Sequence, residues 1–120
     1  MDQEVRKYMI NVCRKRETAT YNQLNIDCNL GFNLNNVEDR FAIGKVIGDI
    51  SRYEHSLGRP LISSVITRAI TNRCGPGFFT MAEELGFGLS TMLQENNFDL
   101  DQISESHLFW ADDNNFINYF

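Results

Sequence analysis

From Asn36 to Gly58 the apolar residues Ile43, Val46, Ile47, Ile50, Tyr53 and Leu57 recur at three- and four-residue spacing, uninterrupted by proline. A stripe of that period lies along one face of an α-helix, and this one is long for a small domain. Asn36 is placed to cap its start, Asp39 sits in the first turn where the helix dipole favours an acid, and Gly58 is a C′ residue that closes it. Pro60 then forces the chain to extend. Everything else in the 120 residues must pack around this rod. Gly44 and Gly48 lie within it. Each costs about 1 kcal/mol relative to alanine, so a second backbone is expected to approach closely there.

The flanking elements are short. Val5, Tyr8, Met9 and Val12 describe an amphipathic first helix, capped near Asp2 and ending in the basic cluster Arg14, Lys15 and Arg16, which suits its C-terminal dipole. Thr20 and Gln23 form a T-x-x-Q capping box for a short second helix bearing Leu24. The asparagine-rich stretch from Cys28 to Asn36 reads as a loop. Leu61–Ile70 is β-branched and reads as a strand, Cys74-Gly-Pro-Gly77 as a turn, and Phe78–Phe79 as a short returning strand. Thr80 and Glu83 suggest a further helix ended by Gly86, followed by a helical patch at Ser90–Glu95 and a final helix from about Ser106. The expectation is one α+β domain over residues 1–120, mostly helical and winged-helix-like: three N-terminal helices, a short β-hairpin, then C-terminal helices.

At residue level, Thr20-Tyr21-Asn22-Gln23-Leu24, the run Tyr53–Val65 containing Gly58-Arg59-Pro60-Leu61-Ile62-Ser63-Ser64-Val65, Gly75-Pro76-Gly77-Phe78-Phe79, and Ala82–Gly86 are similar to a family of small uncharacterised bacterial and phage proteins. That family combines T-Y-x-x-L, G-R-P-L-x-S-x-V, P-G-x-G-F-F and A-x-x-L-G segments. The resemblance covers roughly residues 18–86, with a weaker echo at Phe109-Trp110, and the proline–glycine turn is one residue shorter here. It implies the winged-helix-like fold and transfers no activity.

Charge is segregated. Residues 1–16 carry Arg6, Lys7, Arg14, Lys15 and Arg16 against Asp2 and Glu4, whereas residues 74–120 carry eight acids and no Lys or Arg. An acidic surface attracts basic partners, and aromatics inside an acidic rim are the composition of an interface hot spot. The expected function is therefore non-enzymatic. It is a cytoplasmic module that binds a basic partner protein through Glu105, Phe109, Trp110, Asp112, Asp113, Phe116 and Tyr119, as an inhibitor or an immunity or anti-defence protein would. The alternative is winged-helix DNA binding through Arg40, Lys45, Arg52, Arg68 and Arg73, although Asn36–Gly58 sums to −1, from three basic against four acidic residues.

Catalytic readings are weaker. Cys74 on a glycine-flanked turn with His55 or His107 as base matches no cysteine-enzyme signature. Gly75-Pro76-Gly77 is neither a P-loop nor a dinucleotide fingerprint. The adjacent pairs Glu83/Glu84, Asp99/Asp101 and Asp112/Asp113 diverge on a helix rather than converge as acid–base catalysis requires. Glu54 and Arg59 are expected to form a buried ion pair, or Arg59 to bond the last helix carbonyls. Cys13, Cys28 and Cys74, odd in number and lacking metal-ligand spacing, read as reduced thiols. No catalytic residue, metal or cofactor is expected, and no stretch is apolar enough to span a membrane.

Overall fold

A computed structural model describes residues 1–120. The helices are α1 (Gln3–Arg14), α2 (Tyr21–Asp27), α3 (Val37–Ser56), α4 (Pro76–Glu84), α5 (Ser90–Glu95), α6 (Phe98–Ala111) and α7 (Asp113–Tyr119). Two short strands, β1 (Ala19–Thr20) and β2 (Ile66–Thr67), pair in parallel with Ala19 opposite Ile66 and Thr20 opposite Thr67. The protein is thus mostly helical with a minimal sheet. No helix is long and apolar enough to cross a membrane.

Local chemistry sets the helix starts. The Asp2 carboxylate accepts the Val5 N–H at 3.0 Å, the Thr20 hydroxyl accepts that of Gln23 at 3.1 Å, and the Asn36 side-chain Oδ1 accepts those of Glu38 and Asp39 at 2.8 and 3.3 Å. Each such cap contributes about 1 kcal/mol. The chain leaves α3 through Gly58 at φ +76°, a conformation that strains other residues.

The expected hairpin does not form. Leu61–Thr67 is buried at every position: its first half turns as a 3₁₀ helix over Ile62–Val65, and only Ile66–Thr67 extend, to pair with β1 rather than with a returning strand. Phe78 and Phe79 lie in α4, which starts four residues earlier than Thr80 because Pro76 occupies its first turn, where a missing N–H is no loss. Thr80 is therefore internal to the helix and donates its hydroxyl back to the Pro76 carbonyl at 3.2 Å. The C-terminal region forms α6 from Phe98, and Asp112 caps the separate α7 through the Asn115 N–H at 3.0 Å.

A buried irregular segment must satisfy its backbone without a sheet. Here side chains do it. Gln102 on α6 accepts the Leu61 N–H at 2.9 Å, Ser106 donates to the Leu61 carbonyl at 3.4 Å, and Ser51 on α3 accepts the Ser63 N–H at 2.8 Å while bonding the Ser63 hydroxyl at 2.6 Å. Around this segment close two apolar clusters. One joins α1, α3 and Trp110 through Val5, Met9, Ile10, Ile43, Ile47 and Ile50; the other joins Leu61 and Cys74 to α4 and α5 through Phe78, Phe79, Met81 and Leu93.

A second polar centre is built on the buried Glu54. The Glu54 carboxylate receives Arg6 at 3.3 Å on one oxygen, and Arg59 through Nε at 2.8 Å and Nη2 at 2.5 Å on the other. Two guanidinium groups face one carboxylate, and the surplus charge is met by the Tyr119 carbonyl, 2.6 Å from Arg6, and by the faces of Tyr53, Trp110 and Tyr119. This is the buried-pair form of the Glu54–Arg59 contact.

Gly44 and Gly48 meet no backbone. A Cβ at Gly44 would have nothing within 4 Å, and one at Gly48 would find only the Met81 sulfur at 3.8 Å. The α3 glycines face an opening rather than a packed neighbour.

Two stability experiments follow. Gly44→Ala is expected to stabilise the protein by about 0.5–1 kcal/mol, read as a raised melting temperature. Glu54→Ala is expected to cost about 3–5 kcal/mol in urea titration because it strands two buried cations. A loss below about 1 kcal/mol, typical of exposed pairs, would show that both arginines reach water.

Candidate functional site: a basic cleft between α3 and α4

The opening beside the glycines is a cleft of about 1020 Å³. One wall is a stripe of α3, Arg40, Phe41, Gly44, Lys45, Gly48, Asp49 and Arg52, which share a face because they fall three and four residues apart. The opposite wall is Arg68, the Gly75–Gly77 backbone, Phe78, Thr80, Met81 and Glu84, with Tyr21 and Leu34 at the sides and Ile43, Ile47 and Ser63 also lining it.

Four cations and two carboxylates line this cleft. Lys45 bonds Asp49 at 3.0 Å along α3, and Arg52 bonds Glu84 at 2.5 Å from wall to wall. Arg40 touches only the Leu34 carbonyl, at 3.0 Å. The Arg68 guanidinium has neither carboxylate nor carbonyl partner; its Cδ lies 3.8 Å from where a Gly75 side chain would begin. The cleft therefore keeps an excess of two positive charges in a chain whose net charge is −5. Burial pushes the Tyr21 hydroxyl up to about 12, as does nearby Cys74, while Arg68 pulls it down. It is a neutral donor at the cleft wall.

Of the five basic residues expected to face nucleic acid, Arg40, Lys45, Arg52 and Arg68 meet in this cleft. Arg73 does not. It lies against α6, bidentate to Asp99 at 2.7 Å on both oxygens and bonded to Asn97 at 3.0 Å. Burial works against ionising Asp99, but the Arg73 guanidinium holds its carboxyl below the usual range. Arg73 is a staple between the loop before α4 and the start of α6.

The acidic aromatic group is brought together on α6 and α7, with three of its rings partly or wholly turned inward. Trp110 is wholly buried, and Phe109 packs edge-on against it at 4.9 Å and stacks on Tyr119 at 6.1 Å. Phe116 lies 4.2 Å beneath the Arg14 guanidinium, which also bonds Asp113 at 3.0 Å and the closing carbonyls of α6. The basic end of α1 thus neutralises the dipole of α6 rather than only its own. Asp112 is the α7 cap, and Glu105 accepts from Gln102 at 3.0 Å. Of the seven, only Glu105, Asp112, Asp113 and Tyr119 are exposed.

Cys74 meets neither histidine. Its thiol donates to the Ser64 carbonyl at 3.3 Å, His55 lies against Phe87 at 5.1 Å, and His107 bonds the Glu17 carbonyl at 2.8 Å. Burial first, then the Asp99 charge, pushes its pKa up to about 12, the reverse of what a nucleophile needs. No three His, Cys, Asp or Glu side chains group as metal ligands. Sequence reasoning missed Phe41 and Tyr21. The available signal was a second stripe on α3, Arg40–Phe41–Gly44–Gly48, running off the isoleucine face.

Compared with protein-family models, with curated proteins and with solved structures, the chain matches none.

The thiols supply a pH test. Burial also pushes Cys13 up to about 12, the Glu54 charge adding to it. Between about pH 9 and 12 the unfolded chain has lost these protons and the folded chain has kept them, so stability falls as pH rises. The slope is up to about 1.4 kcal/mol per pH unit for each thiol. Urea midpoints should decline above about pH 9 in the parent and decline less in Cys13→Ala and Cys74→Ala. A flat profile would mean that both thiols ionise in place.

Proposed function

We propose that the protein is a non-catalytic nucleic-acid-binding module whose contact surface is the α3–α4 cleft. The observation that carries this reading is the convergence of Arg40, Lys45, Arg52 and Arg68, two of them without carboxylate partners, on one concave surface of an otherwise acidic chain. Phosphate neutralisation supplies most non-specific affinity, and it depends on local rather than net charge. The order α1–α2–α3 is that of a helix-turn-helix module, but nine residues separate α2 from α3 and there is no hairpin wing.

Fluorescence anisotropy with labelled oligonucleotides tests it. With Arg40 and Arg68, the two cations without carboxylate partners, engaging phosphate, log affinity should fall with log salt at a slope of about −1.5, since each contact contributes about −0.7 to −0.9. Arg68→Ala should weaken binding and reduce that slope by about one, with melting temperature unchanged. Absence of binding at low salt overturns the proposal.

A basic protein partner, including the inhibitor or immunity role, is the second reading. What favours it is that α6 and α7 expose Leu108, Ile117 and Tyr119 along with Glu105 and Asp112. Binding of a basic protein that oligonucleotides leave undisturbed, and that Ile117→Glu abolishes, would support this reading over the cleft.

A further inference from the structure

Resting on the nucleic-acid reading, we infer that the cleft takes a single-stranded segment, with a base stacked on Phe41 and the adjoining phosphates on Arg40 and Arg68. Duplex readout places a helix into a major groove about 12 Å wide, which requires the helix to stand clear of the protein on its presenting face. The basic stripe of α3 does not stand clear. It is one wall of a concavity, α4 faces it, and the Arg52–Glu84 bridge spans between them. A flexible strand can enter such a space, whereas a rigid double helix is held off at the rim.

The interior suits a nucleobase. A volume of about 1020 Å³ is slightly above the roughly 300–1,000 Å³ of small-molecule sites, which leaves room for a base and its adjoining backbone. Phe41 is 77% exposed although it lines this cleft, so one ring face has no covering side chain. Single-strand binders combine such a stacking platform with a cationic track for the backbone. Gly44, one helical turn from Arg40, leaves open space where any side chain would begin, so its absence keeps the ground beside Phe41 clear. Asp49 and Glu84 are already matched by Lys45 and Arg52, which leaves Arg40 and Arg68 as the groups with charge to offer.

The test uses the full chain with labelled single-stranded DNA, single-stranded RNA and the matching duplex, by anisotropy at low salt. The expected result is at least about tenfold tighter binding of one or both single strands than of duplex. Phe41→Ala should lose about tenfold of single-strand affinity, the size of one stacked base. Gly44→Leu, which projects into the open space beside Phe41 where a Cβ meets nothing within 4 Å, should weaken binding at least about tenfold while thermal melting by circular dichroism stays at or above the parent value. The DNA and RNA arms show whether a 2′-hydroxyl is preferred. Duplex binding equal to or tighter than single-strand binding, or a Phe41→Ala variant with parent affinity, overturns this inference and leaves the nucleic-acid reading standing. Binding of none of the three overturns the reading itself.

Discussion

The segment Leu61–Thr67 runs through the centre of the protein with every residue buried, and enclosing it is the constraint to which the other elements conform. A buried amide without a partner costs about 1–3 kcal/mol, and a segment that is half 3₁₀ turn offers few internal bonds. Ser51 from α3 and Gln102 and Ser106 from α6 supply the missing partners. Those bonds fix the distance of α3 and α6 from the segment, and Arg59 adds a further tie just before it by reaching Glu54. With α3 held there, the stripe of Arg40, Gly44 and Gly48, on the same side of the helix as Ser51, is left to face α4 across a gap. The cleft is thus a by-product of how the centre was satisfied.

What the sequence disclosed was local. Asp2, Thr20 and Asn36 cap as their chemistry dictates, and Gly58 ends α3, because each depends on contacts three or four residues away. The hairpin was misjudged for a specific reason. Ile62 to Ile66 alternates well enough to pass for a strand, but seven consecutive buried residues describe a threaded segment. Deciding between them requires knowing that Gln102 and Ser51 will arrive from elsewhere. Similarly, Pro76 between glycines suits a turn by local preference, but it occupies the first turn of α4. Both are cases of tertiary structure overriding a local preference.

Electrostatics were harder to read than hydrophobic pattern. The acidic C-terminal third does display its acids, with Asp99 alone buried against Arg73, yet the rings of Phe109, Trp110 and Phe116 turn largely inward. Summed charge says nothing about pairing. The α3 segment shows the converse: it sums to −1, but Glu54 points into the interior while Arg40, Lys45 and Arg52 share the cleft face. Which charges remain available is a property of helix phase, not of composition.

The bond from Arg6 to the Tyr119 carbonyl joins positions 113 residues apart. A buried cation on α1 thereby waits for an acceptor at the end of α7. During synthesis, α1 emerges before this acceptor, so that part of its packing face stays unfinished until α7 has left the ribosome. Folding of such a topology is committed late, and nascent α1 with its apolar stripe bare is the stage most open to chaperones and to premature association.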